Sequence, residues 1–128
     1  MNKYKGCLVG LAVGDAIGTT VEFMDRGTFP LVTTMTGGGP FNLKAGQWTD
    51  DTSMALCLAN SLIEKGFDAH DQIQKYIKWK DCGYMSVTGH CFDIGSNISN
   101  ALSKYEMDST SPYCGSTNNY ASGNGGIM

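Results

Sequence analysis

Asp51-Thr-Ser-Met-Ala-Leu-Cys-Leu-Ala-Asn-Ser-Leu-Ile-Glu-Lys65 decides the fold class. Met54, Leu58 and Leu62 recur at i, i+4 and i+8, flanked by Ala55, Ala59 and Ile63, so the spacing predicts an amphipathic helix. Gly66 stops it, because a residue without Cβ closes a helix at little steric cost. Downstream, Asp68 or Asp71 opens a second helix carrying Ile73, Tyr76, Ile77 and Lys80, and Gly83 ends it. Ile94, Ile98, Ala101, Leu102 and Tyr105 predict a third helix from about residue 94 to 105. Upstream, Leu8, Leu11, Ala12, Ala16 and Ile17 predict a helix over 3–18 with Asn2 as its N-cap. Gly10, Gly14 and Gly18 share one face of it, a spacing that permits another helix or backbone to approach closely. Residues 25–47 carry Gly27, Pro30, the run Gly37-Gly38-Gly39-Pro40 and Gly46, and read as loop with one short extended piece at Leu31–Thr34. Met107 to Met128 reads as polar loop. Strand signals are nearly absent, so the expected class is all-α.

Composition narrows the function classes. A chain of 128 residues fits one domain, 1–128, and is long enough to bury a real core. Hydrophobic residues at 41% and charged residues at 16% exclude a disordered chain and a coiled coil. Nine Lys and Arg against twelve Asp and Glu, a net charge of −3, argue against a nucleic-acid partner. No run of 18 apolar residues exists, so no membrane span is expected. The apolar stretch Cys7–Gly18 contains Asp15 and lacks a small-residue cleavage site, which argues against a signal peptide. Five cysteines with no CxxC pair read as reduced thiols of a cytoplasmic protein.

Four segments carry polar groups where chemistry needs them. Trp48-Thr49-Asp50-Asp51-Thr52 opens the strongest helix. Its carboxylates and hydroxyls either cap the free backbone N–H groups of the first turn or supply the oxygen ligands of a hard cation. Asp15 lies inside an apolar helix, where a carboxylate needs partners, either as a cap or as one half of a core pair. Glu22 follows seven residues later on roughly the same face. Asp93 sits at the entrance of the third predicted helix, an N-cap position. His90 and Cys91 are adjacent, and adjacent side chains rarely face each other as a nucleophile pair does. Ala121-Ser122-Gly123-Asn124-Gly125-Gly126 is either flexible loop or a backbone N–H cradle for a phosphate or sugar.

Together these blocks carry a resemblance. Gly6-Cys-Leu-Val-Gly-Leu-Ala-Val-Gly-Asp-Ala-Ile-Gly18, Glu22, Trp48-Thr-Asp-Asp-Thr52, Thr88-Gly-His-Cys-Phe-Asp-Ile-Gly95 and Ser122-Gly-Asn-Gly-Gly-Ile-Met128 occur in one order along nearly the whole chain. The sequence resembles the ADP-ribosylglycohydrolase family, most closely the bacterial branch that includes dinitrogenase reductase-activating glycohydrolase. The resemblance implies a helical bundle with a binuclear Mg²⁺ or Mn²⁺ centre in a cleft. It implies hydrolysis of the bond between ADP-ribose and a modified side chain, with an ADP-ribosylated protein or ADP-ribose as partner. Thr49, Asp50 and Asp51 match the family's first metal-ligand trio, and Glu22 and Asp93 its catalytic carboxylates. Gly95, Ser96, Ser122, Gly123, Asn124 and Gly125 match substrate-binding positions.

Elementary chemistry agrees with that reading. A diphosphate needs cations to sit against carboxylates, and cleavage at an anomeric carbon builds positive charge that carboxylates stabilise. Two departures stand out. The bacterial branch often has Asn after Asp-Ile-Gly, where this chain has Ser96, which offers no amide donor. The family's second ligand trio, an Asp-x-Asp-Thr, has no counterpart here, so the expectation is the N-terminal part of one such domain, a truncated bundle. Such a bundle should expose apolar faces and self-associate, be completed by another chain as half of a split enzyme, or persist as a non-catalytic remnant that binds ADP-ribose or a partner.

Overall fold

A computed structural model describes residues 2–121. Four helices carry the chain: α1 (Lys3–Gly18), α2 (Asp50–Lys65), α3 (Ala69–Cys82) and α4 (Ser96–Met107), with a 3₁₀ turn at Thr19–Val21. Among the described residues there is no strand. Gly38 and Leu43 form one isolated bridge, and the stretch 31–34 forms no ladder. The all-α expectation therefore holds.

Local chemistry explains the helix ends. Asn2 caps α1, its side-chain oxygen accepting the Tyr4 N–H at 3.0 Å. Of the two candidate openings of α3, Asp68 is the cap, accepting the N–H groups of His70 and Asp71. Gly83 closes α3 at φ +66, and a Cβ there would collide with the Gly89 carbonyl. Only glycine lets the following loop fold back over the helix end. α4 begins at Ser96, two residues later than its periodicity suggests, because Asp93 stands at φ +59 outside the helix. Gly95 is its N-cap and Asp93 caps nothing there, which removes the capping explanation for that carboxylate.

The apolar core lies between α3 and α4. Ile73, Leu102, Tyr105 and Cys114 are buried, with Tyr76, Ile77, Ile94, Ile98 and Ala101 packed against them. These are the faces that the spacing predicts, and each fully buried aliphatic side chain contributes roughly 1.5–3 kcal/mol.

α2 departs from its predicted face. Its buried stripe is Ser53, Cys57 and Ser61, one position behind Met54, Leu58 and Leu62. Leu62 is exposed and Ile63 is 83% exposed. Polar bonds to α3 and its following loop turn the helix this way. Ser61 donates to Asp71 at 2.6 Å, the buried Lys75 pairs with Glu64 at 2.7 Å, and the Tyr84 hydroxyl donates to Asn60 at 2.7 Å. α1 departs too. No atom outside the helix lies within 4 Å of a Cβ built at Gly10, Gly14 or Gly18, so no described element packs on that glycine face. Leu8, Val9 and Val13 are exposed. All five cysteines are free. Among the described residues no helix is long and apolar enough to cross a membrane.

Candidate active site

The site assembles where α1 ends and α2 begins. Gly14, Asp15, Gly18, Thr19, Glu22, Thr49 and Asp51 line an open cleft. Gly14 and Gly18 thus border the cleft, leaving its wall bare, instead of seating a second helix. Glu22 follows the 3₁₀ turn and accepts from the Thr19 hydroxyl at 3.4 Å. The glycine-rich loop supports this turn: Thr20 donates to the Gly37 carbonyl at 3.2 Å, and a Cβ at Gly39 would collide with the Thr19 carbonyl.

Thr49 is the N-cap residue of α2, yet its own side chain makes no capping bond. The cap comes from Asp15 on α1. One carboxylate oxygen accepts the Thr49 hydroxyl at 2.9 Å, the other accepts the Thr52 N–H at 3.0 Å and the Thr52 hydroxyl at 2.6 Å. The Thr49 N–H lies 3.0 Å from both oxygens. The cost of placing Asp15 in a small-residue helix is met by these bonds. Asp15 thus supplies the side-chain cap of α2, while Asp50 and Asp51 stand in its first turn, where negative charge also favours the helix N-terminus.

Asp93 reaches the same place from the other side. Its carboxyl lies beside those of Glu22 and Asp50, close enough for both to act on its titration. Its left-handed backbone, a conformation that Asp tolerates better than most residues, aims it there. A string of aromatic edges joins the loops that carry the two acids. Phe23 meets Phe41 at 6.3 Å, Phe41 meets Phe92 at 5.3 Å, and the His90 ring lies 6.0 Å from Phe92.

The electrostatics are those of crowded acids. Burial, then the charges of Asp50 and Glu22, push the Asp93 carboxyl up to about 8. Burial and the charges of Asp50 and Asp15 push Asp51 up to about 6. Burial also raises Asp50 and Glu22. Partly buried carboxylates that repel one another favour a site that takes up positive charge. Their donors are hard oxygens, a set whose chemistry fits a hard divalent cation such as Mg²⁺, Ca²⁺ or Mn²⁺. Among the described residues no three His, Cys, Asp or Glu groups form a ready cation cage. The expected trio has two carboxylates and one hydroxyl and would need further ligands.

Of the sequence-predicted site residues, Glu22, Thr49, Asp50, Asp51 and Asp93 come together. Gly95 and Ser96 are exposed at the start of α4. Ser122, Gly123, Asn124 and Gly125 lie outside the described residues; Ala121, just before them, is held to α4 by Asn97 at 2.9 Å. Asp15 and Thr52 had no assigned role in the site, and neither did the three phenylalanines. The signals for Asp15 were a charge in an apolar helix and its place in the first motif block.

A helical fold with acids gathered at one helix entrance defines a class, and comparison with known proteins gives the family. The ADP-ribosylglycohydrolase model matches residues 1–128, and the chain belongs to that family. It is 49% identical over 129 residues to an ADP-ribosylarginine hydrolase Tri1 of Serratia proteamaculans (strain 568), covering all of this chain and 35% of that protein. It is 39% identical over 115 residues to the ADP-ribosyl-(dinitrogen reductase) glycohydrolase of Rhodospirillum rubrum, covering 84% of this chain and 37% of that protein. A solved structure described as an ADP-ribosylglycohydrolase-related protein complex superposes with a TM-score of 0.71 at 45% identity, over 87% of this chain and 35% of that one. The chain thus spans about a third of the length of the relatives it matches.

Proposed function

We propose that this chain forms the Thr-Asp-Asp side of a site that hydrolyses the N-glycosidic bond between ADP-ribose and an arginine side chain. The observation that carries the proposal is the convergence of Glu22, Asp50 and Asp93 beside Asp51 and Thr49, in a chain 49% identical to a protein named for that reaction. Thr49, Asp50 and Asp51 would hold a divalent cation, with the remaining ligands coming from water, substrate or a second ligand set on further chain. A bound Mg²⁺ or Mn²⁺ lowers the pKa of a coordinated water and offsets diphosphate charge against the carboxylates.

The chain's own groups divide the other tasks. Glu22 and Asp93 are neighbouring carboxyls, both raised by burial, and such a pair can divide the roles of proton acceptor and neutral partner. Carboxylates facing the sugar stabilise the positive charge that develops at the anomeric carbon. Aromatic contacts link the two loops that carry the acids, with Phe41 packed between Phe92 and the exposed Phe23.

Calorimetric titration of the chain with Mn²⁺ and then ADP-ribose tests this reading, beside an Asp50→Ala/Asp51→Ala variant. Wild type is expected to bind ADP-ribose only when Mn²⁺ is present, and the variant to bind neither. Metal-independent ADP-ribose binding that survives in the variant would replace hydrolysis with simple ligand binding as the better reading.

A further inference from the structure

We infer that Asp15 is a positioning residue that clamps both ends of the Asp50–Asp51 pair and turns the Thr49 hydroxyl into a ligand. The inference deepens the proposed function and rests on reading Thr49, Asp50 and Asp51 as cation ligands. Asp15 comes from the last turn of α1, 34 residues before Thr49 and 37 before Thr52. Its carboxylate takes the N–H and the hydroxyl of Thr49 on one side of the acid pair, and the N–H and the hydroxyl of Thr52 on the other. Asp50 and Asp51 are the two residues between these anchors. One side chain thereby fixes the backbone that aims both acids.

The proton inventory makes the clamp directional. A threonine hydroxyl has one hydrogen and two lone pairs. Thr49 spends its hydrogen on Asp15 at 2.9 Å, so its lone pairs face away from α1. Asp50 follows Thr49 directly in the chain, and the hydroxyl's one hydrogen is already given to Asp15. A hydroxyl whose hydrogen is committed in this way presents only lone pairs to a cation. Asp15 is not a ligand in this scheme. Both its oxygens are filled by hydrogen bonds to Thr49 and Thr52, and its task is to keep the ligand-bearing turn in one conformation before the ion arrives.

Asp15→Asn tests this in the full chain, because it keeps the side-chain shape and replaces one acceptor oxygen by an NH₂ group. Mn²⁺ binding, read by calorimetry and by the electron paramagnetic resonance of free Mn²⁺, is expected to weaken about 10–100-fold, the usual effect of losing such an outer partner. In metal-free protein the Thr49 and Thr52 amide protons should shift upfield while the helical circular dichroism is kept. Ser61→Ala, which breaks a buried bond at the other end of α2, is the structural control: it should lower thermal stability and leave Mn²⁺ affinity unchanged. If Asp15→Asn fails to fold, Thr52→Val removes only the 2.6 Å bond of a non-ligand and should still weaken Mn²⁺ binding. Wild-type affinity in a folded Asp15→Asn or Thr52→Val variant overturns the inference alone. A wild-type chain that binds no Mn²⁺ overturns the ligand reading and this inference with it.

Discussion

The two halves of the molecule are held together by different physics. α3 and α4 meet through an apolar core of Ile73, Leu102, Tyr105 and Cys114. The end of α1 is tied to the start of α2 by one carboxylate, Asp15, and the two threonines that it engages, beside an open apolar groove, with Leu8, Val9 and Val13 of α1 left exposed. Apolar burial is non-directional and tolerates small shifts, whereas hydrogen bonds to a charged group fix angles. The half that carries the candidate site is therefore geometrically determined, and the half that carries the core supplies stability. The sharpest way to break that contrast is Leu102→Ala. Leu102 is buried at the centre of the α3–α4 cluster, so the expected cost is about 2–5 kcal/mol, read by urea or thermal unfolding. A loss below 1 kcal/mol would place the main stabilising contacts elsewhere.

That contrast also decides what could be read from the sequence. The α3 and α4 faces were legible because apolar burial writes a 3.6-residue period, and Ile73, Leu102 and Tyr105 sit where that period puts them. The helix at 50–65 was legible, but its buried face was not. Ser53, Cys57 and Ser61 are small or polar, and their burial follows from partners on α3 and its following loop, such as Asp71 and Tyr84, that no period records. The acids of the site were legible only through an ordered set of motifs. Asp93 gains its place from a left-handed backbone, and Asp15 gains its partners across 34 residues of chain. Neither contact leaves a local pattern.

A smaller effect comes from pH. The carboxyls of Asp93 and Asp51 sit at about 8 and about 6 in the fold, above the usual 3.8 that they regain on unfolding. The folded chain therefore binds more protons than the unfolded chain across this range, and stability falls as pH rises. The penalty is absent below about pH 4, grows between pH 4 and 8, and is complete above that. Because both groups are partly open to water, metal-free protein should lose roughly 1–2 kcal/mol between pH 5 and 9, well short of the full shift. Asp93→Asn should remove most of this slope, and saturating Mn²⁺ should reverse its sign. A flat profile for wild type would mean that the acids are solvated and do not press on one another. The site half would then lack the electrostatic strain that sets it apart from the core half.

The smallest effect belongs to the exposed face of α1. Val9 is 48% exposed, and the groove beside it is lined by Leu8, Leu11, Ala12, Trp48 and Leu56. If that face meets water, Val9→Gln removes little buried area and replaces a β-branched residue by a better helix former. The change in stability should stay within about 0.5 kcal/mol of zero, as for other exposed substitutions. The Trp48 indole N–H, buried and without a partner, should keep its fluorescence unchanged. The alternative has a distinct signature. If a second copy or further chain covers this face, the buried area of Val9 is larger than the isolated fold shows. Val9→Gln would then cost more than 1 kcal/mol and lower the sedimenting mass. The weakly packed half would in that case be a half whose apolar surface is completed from outside, and Asp15 would be holding the ligand turn against a wall that another surface supplies.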